Sequence, residues 1–159
     1  MTTPTLGAAA PDFTLKNQHN QDVTLSSFRG EKNVLLVFYP LAFSGICSGE
    51  LCSLRDDLPR ITDDNVEVLT VSVDSVFAHK VWAEQENFGF SLLSDFWPHG
   101  AVAQQYGVFD ENKGIARRGS FLIDKEGIIR WSVVNDIPVA REQNDYLKAI
   151  AALNEAVAS

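Results

Sequence analysis

The chain has 159 residues, 45% of them hydrophobic, a length and composition that suit a single domain with a proper core. Lys and Arg number 13 against 21 Asp and Glu, a net charge of −8, which argues against a nucleic-acid partner because phosphate backbones attract basic faces. No apolar run approaches the roughly 20 residues of a membrane span, and Met1-Thr2-Thr3-Pro4-Thr5-Leu6-Gly7 lacks the basic start and apolar core of a signal peptide, so a cytoplasmic protein with no membrane contact is expected.

Asp12-Phe13-Thr14-Leu15 and Asp22-Val23-Thr24-Leu25 alternate polar and apolar residues around a turn-rich link, which predicts an N-terminal β-hairpin. Ser26 to Gly30 reads as a short capped turn, and Asn33 to Phe38 as a fully buried strand. A helix is predicted from about Ile46 to Leu58, with Leu51, Leu54 and Leu58 on one apolar face and Pro59 as its stop. Val66 to Val73 is a second core strand. Asp74 or Ser75 caps a helix running to Phe88, with Val81 and Trp82 facing inward. Ser91 to Ser94 is a short strand, and Ala101 to Tyr106 a short helix ended by Gly107. Arg118 to Asp124 and Ile128 to Val134 flank the turn Lys125-Glu126-Gly127, and Glu142 to Val157 closes the chain as an amphipathic helix. Alternating strands and helices, then a hairpin and a terminal helix, predict an α/β fold with a central mixed sheet and helices on both faces, one domain over residues 1–159.

The stretch richest in chemistry is Tyr39-Pro40-Leu41-Ala42-Phe43-Ser44-Gly45-Ile46-Cys47-Ser48-Gly49-Glu50-Leu51-Cys52. Cys47 stands where a strand hands over to a helix. The first turn of a helix exposes unpaired N–H groups and carries partial positive charge, which favours the nucleophilic thiolate. From position alone, Cys47 is either an activated thiol or an inert core thiol. Ser44 can offer its hydroxyl to the sulfur or to a substrate oxygen. Pro40 ends the strand and aims the loop. The Cys-x4-Cys spacing is neither the redox Cys-x-x-Cys nor a usual zinc half-site. The histidines His19, His79 and His99 are dispersed and make no metal motif with the cysteines.

Pro40-x-x-x-Ser44-x-x-Cys47 matches the Pro-x-x-x-Thr/Ser-x-x-Cys signature of peroxiredoxins, and the chain resembles that family along nearly its whole length. Ala10-Pro11-Asp12-Phe13-Thr14-Leu15 is similar to the family's opening strand, Ser94-Asp95-Phe96-Trp97 to the segment after its central helix, and Arg118 to Asp124 to the strand that carries an active-site arginine. Pro40 to Cys47 and Ser94 to Gly107 resemble the alkyl hydroperoxide reductase E type, a one-cysteine group. The resemblance implies a thioredoxin-like fold and a thiol-dependent peroxidase that reduces hydrogen peroxide and organic hydroperoxides through a Cys47 sulfenic acid. It implies no metal, haem or flavin, and commonly a homodimer. Arg118 is then the residue that stabilises the transition state, and its neighbour Arg117 points the other way because strand faces alternate. Pro40 shields the thiolate, ends the strand, or does both. Glu50 either orders the arginine or is simply a favourable acidic residue near a helix start. Phe43, Trp82 and Trp97 are expected in the core or pocket wall, and His99 in a turn or interface.

Cys52 departs from the one-cysteine pattern, and its spacing resembles the bacterioferritin comigratory protein type, in which the second cysteine resolves the sulfenic acid. Five residues along a helix is a rise of about 7.5 Å, beyond the roughly 7 Å Cα separation that a disulfide bridges. A Cys47–Cys52 disulfide therefore requires local unwinding, which Ser48 and Gly49 ease. A thioredoxin-like partner would then reduce it. Otherwise Cys52 packs in the core and an outside thiol or redoxin resolves Cys47. Two further readings are a thiol–disulfide oxidoreductase, against which the missing Cys-x-x-Cys counts, and a non-catalytic redox-sensing or holdase protein.

Overall fold

The architecture comes from a computed structural model that describes residues 3–62 and 65–158. Of the N-terminal stretch read for a signal peptide, Met1 and Thr2 lie outside the described residues. β1 (Thr14–Lys16) and β2 (Asp22–Thr24) form the expected hairpin, with Thr14 opposite Thr24. A 3-10 turn over Leu25–Phe28 leads to β3 (Asn33–Phe38), α1 (Gly45–Thr62), β4 (Val66–Ser72), α2 (Val76–Glu86), β5 (Ser91–Ser94) and the short α3 (Ala101–Gln105). A small hairpin follows, β6 (Phe109–Asp110) with β7 (Ile115–Ala116), which the sequence reading did not contain. β8 (Arg118–Ile123), β9 (Ile129–Asn135) and α4 (Gln143–Ala158) complete the chain.

The main sheet has seven strands in the order β2-β1-β5-β4-β3-β8-β9. β3, β4 and β5 are parallel to one another, and β8 runs antiparallel against both β3 and β9. The parallel connections need crossovers, which α1 and α2 supply. β3 is buried at all six positions because it is covered on both faces. Val34, Leu36 and Phe38 face a core shared with Val102, Ala103 and Tyr106 around α3. Leu35, Val37 and Tyr39 face a core shared with Leu51 and Leu54 of α1, Trp82 of α2 and Ile150 of α4. Helices therefore cover both faces, three on one side and α3 on the other.

Three local features depart from or add to the predicted elements. Pro59 lies inside α1 instead of ending it. Ile61, beyond it, is fully buried, and burying such a side chain contributes about 1.5–3 kcal/mol, enough to offset most of a proline's cost of about 3 kcal/mol in a helix interior. Trp82 is buried as expected, but Val81 is half-exposed, since a neighbour on a 3.6-residue helix points about a quarter-turn away. The Asp95 carboxylate accepts the N–H groups of Val102 at 3.1 Å and Ala103 at 2.9 Å, docking the first turn of α3.

Candidate active site

β3 delivers the site. The Tyr39 N–H continues the ladder to the Val71 carbonyl at 3.0 Å; buried Pro40 has no N–H to extend it. After the loop 41–44, the Ser48 N–H bonds the Ser44 carbonyl at 2.8 Å and starts α1. Cys47 is the third residue of that helix and is fully buried. Its backbone N–H lies in the first turn, where no intrahelical carbonyl is available.

Alternation along β8 decides which arginine meets the sulfur. Arg118, Ser120 and Leu122 face α1 and α4, while Gly119, Phe121 and Ile123 face the opposite core. Gly119 has no room for a side chain, because a Cβ there would come within 2.7 Å of Val108 Cγ1. Arg118, 2% exposed, donates from Nη1 to Cys47 Sγ at 3.2 Å and to Glu50 Oε1 at 2.6 Å, and from Nε to the Ile137 carbonyl at 2.6 Å. Arg117 turns outward to Asp136 at 3.0 Å. The predicted register holds.

Glu50 sits in the second turn of α1, so the helix-start reading gives way to the ordering one. Its carboxylate takes Arg118 on Oε1 and is clamped by Arg141, whose Nη2 reaches Oε1 at 2.9 Å and whose Nε and backbone N reach Oε2 at 2.9 and 2.7 Å. Arg141 Nη1 also donates to the carbonyls of Phe38 at 2.7 Å and Gly119 at 3.0 Å. Burial alone would raise the Glu50 carboxyl, but the hydrogen bonds and charge of Arg141, with the charge of Arg118, outweigh it and hold it below the usual carboxylate value. Two buried cations against one anion leave one positive charge facing the sulfur. Sequence reasoning missed Arg141. It lies 91 residues from Glu50 in a stretch with no motif, and an isolated arginine beside Glu142 reads as a solvated charge.

Ser44 is placed near the site but differently employed than expected. Its hydroxyl donates to the Leu41 carbonyl at 3.1 Å, so toward a substrate it is an acceptor. Cys52 is partly buried and donates from Sγ to Glu86 Oε2 on α2 at 3.4 Å. Burial and the Glu86 carboxylate push its thiol up. The two sulfurs thus serve different neighbours on a continuous helix. Phe43 is half-exposed, with its ring 5.8 Å from that of Trp82. Trp97, expected inside, is 81% exposed. His99 Nε2 lies 2.6 Å from the Gly114 carbonyl, bracing the β6–β7 turn.

Residues 6–132 match the model of the AhpC/TSA family. The chain belongs to the AhpC/TSA family of peroxiredoxins. It is 55% identical over 148 residues to alkyl hydroperoxide reductase E of Mycobacterium tuberculosis strain H37Rv, covering 93% of this chain and 97% of that protein. It is 36% identical over 160 residues to the chloroplastic 2-Cys peroxiredoxin BAS1 of Hordeum vulgare, covering 94% of this chain and 75% of that one. Among solved structures, the reduced 2-Cys peroxiredoxin of Plasmodium vivax superposes with a TM-score of 0.87 at 32% identity, over 96% of this chain and 83% of that chain. The mitochondrial 2-Cys peroxiredoxin of Plasmodium falciparum gives a TM-score of 0.88, also at 32% identity, over 98% and 97%. The thioredoxin-like α/β fold expected from the sequence is the fold of these peroxiredoxins.

Proposed function

We propose that the chain is a single-domain, thiol-dependent peroxidase that reduces hydrogen peroxide and organic hydroperoxides at Cys47. The observation that carries this reading is the Arg118 guanidinium 3.2 Å from Cys47 Sγ, held by a buried Glu50–Arg141 clamp. The Cys47 thiolate attacks the terminal peroxide oxygen, an S–O bond forms and the O–O bond breaks. The peroxide hydroxyl proton passes to the departing oxygen, releasing an alcohol or water, and the sulfur is left oxidised by two electrons as a sulfenate, which takes a proton from solvent to become the sulfenic acid. Negative charge spreads over sulfur and two oxygens along that line. Arg118 and the Cys47 N–H donate to it, the Ser44 oxygen accepts from the peroxide hydroxyl, and Pro40 keeps water from the sulfur.

In the reading we adopt for turnover, Cys52 resolves the sulfenic acid. Its thiol sulfur attacks Cys47, a disulfide forms and water leaves. A thioredoxin-like dithiol or a low-molecular-weight thiol, as the cytoplasm supplies, then returns both sulfurs to thiols. The step requires the turn of α1 between the two residues to unwind. A second reading, resolution of Cys47 by an outside thiol, draws support from the Glu86 bond that holds Cys52 away from Cys47 on an intact helix. The same proposal takes the protein as a homodimer. Supporting this are Phe77, Phe96 and Trp97, exposed around one cleft of about 420 Å³.

One experiment tests the chemistry. The protein is treated with one equivalent of peroxide without reductant, and its mass and a non-reducing peptide map are taken. Loss of two hydrogens with the two cysteines linked is the expected result. Added oxygen on Cys47 with Cys52 still alkylatable selects the outside-thiol reading. No change at either sulfur overturns the peroxidase.

A further inference from the structure

Behind the loop 41–44 lies a buried polar chain that the peroxidase chemistry above does not use. His79, on α2, is fully buried. Its Nε2 lies 2.7 Å from Ser72 Oγ and 3.2 Å from the Tyr39 hydroxyl. Ser72 Oγ in turn donates to Asp74 Oδ2 at 2.7 Å, and the same oxygen accepts the Ala42 N–H at 2.7 Å. The serine has one proton and gives it to a carboxylate that can only accept. The imidazole therefore carries its proton on Nε2 and donates to Ser72. Every link has one direction, from His79 through Ser72 to Asp74, with the loop amide bound at the end.

The loop needs such a hold. Phe43 has φ of +67°, a left-handed conformation that a bulky residue adopts only when its surroundings impose it. It is flanked by two hydrogen bonds, Ala42 N–H to Asp74 on one side and Ser44 hydroxyl to the Leu41 carbonyl on the other. Tyr39, which enters the loop, touches the same imidazole and shares the apolar core with Cys47. Tyr39, before the loop, and Ala42, within it, thus rest on the two ends of one polar chain, His79 and Asp74.

We propose that Asp74 is a positioning residue for the peroxide reaction, holding Ala42 and thereby Phe43 and Ser44 in place, with Ser72 and His79 fixing its carboxylate. Without the carboxylate, Phe43 relaxes to a negative φ and the Ser44 oxygen leaves the line of attack, while Cys47, anchored in α1 beside Arg118, stays. This inference rests on the peroxidase reading.

The test compares Asp74→Ala and Asp74→Asn with the parent. Three quantities are measured: the second-order rate of Cys47 oxidation by hydrogen peroxide, the rate of its alkylation by iodoacetamide, and hydrogen–deuterium exchange of a peptide spanning 40–46. Asp74→Ala is expected to slow oxidation at least tenfold, leave alkylation within twofold and speed loop exchange. Asp74→Asn keeps an acceptor oxygen and restores oxidation to within threefold. If Asp74→Ala does not fold, Ser72→Ala, which cuts the chain one link earlier, is expected to slow oxidation at least threefold at unchanged alkylation. Oxidation unchanged in these variants, or oxidation and alkylation falling together, overturns the positioning role and leaves the peroxidase standing. A parent protein inert to peroxide removes the peroxidase reading and this role with it.

Discussion

Glu50 receives four hydrogen bonds from two arginines while itself nearly buried, so its charge is the counterweight that lets both cations stay inside. Glu50→Gln leaves them under-compensated, and removing one partner of a buried ion pair costs about 3–5 kcal/mol; chemical denaturation at neutral pH should show a loss of that order. Truncating Arg118 to Ala removes a donor aimed at Cys47 Sγ, and on the proposed chemistry the peroxide rate should fall by about 10²–10³-fold, as stopped-flow oxidation of Cys47 will read. Acid acts on two residues in sequence. Burial, opposed by the charge of Asp74, lowers His79 from 6.5 to about 4, so between those values the unfolded chain binds a proton that the folded chain does not. Stability therefore falls as pH drops from 6.5 toward 4, by up to about 3 kcal/mol. Glu50 is depressed instead, so its contribution is whole above its ordinary 4.5 and is lost as pH falls below that value. Denaturation midpoints across this range should show both steps, with the lower one missing in Glu50→Gln.

At the scale of elements, α1 carries both cysteines, and on the proposed turnover it is rigid for one role and pliable for the other. In the proposed reaction Cys47 uses a formed first turn, whose N–H groups lack intrahelical partners; a Cys47–Cys52 disulfide needs the following turn undone. Gly49 lies between them, exposed, with open space where a Cβ would go. Gly49→Ala should raise stability by about 1 kcal/mol, since glycine is that much poorer in a helix. It should also slow disulfide formation after peroxide treatment, with the first oxidation of Cys47 unchanged. Mass spectrometry of quenched samples will separate the two steps, and equal disulfide rates in parent and variant would mean that α1 does not unwind. Pro59 teaches a related lesson. A proline lowers helix propensity locally, but burying Ile61 offsets most of that cost, so the stop read from the sequence is a point that α1 runs through.

For the whole molecule, Phe77 and Trp97 stand exposed beside Phe96 on a chain whose other large aromatics are mostly inside. If that surface closes against a second copy, Trp97→Arg should shift the mass measured by light scattering toward the monomer; an unshifted dimer would place the interface elsewhere. The order of elements, the fully buried β3 and the cysteine at a strand-to-helix junction were legible in the chain, because they follow from local periodicity and short spacing. So was the choice of Arg118 over Arg117, once the family resemblance supplied the arginine, since alternation along β8 is a local rule. Arg141, the Glu50 clamp, the chain from His79 to Asp74 and the outward face of Trp97 were not. Arg141, the Glu50 clamp and the contacts of the His79 chain with Tyr39 and Ala42 join residues far apart in the chain, and a buried charge or hydroxyl shows its partner only after the backbone has closed. The sequence by itself determined where Cys47 stands, at a strand-to-helix junction, and which elements carry it. The tertiary structure alone decided what faces that sulfur, because electrostatic and hydrogen-bonding partners are selected by distance in space and not by separation along the chain.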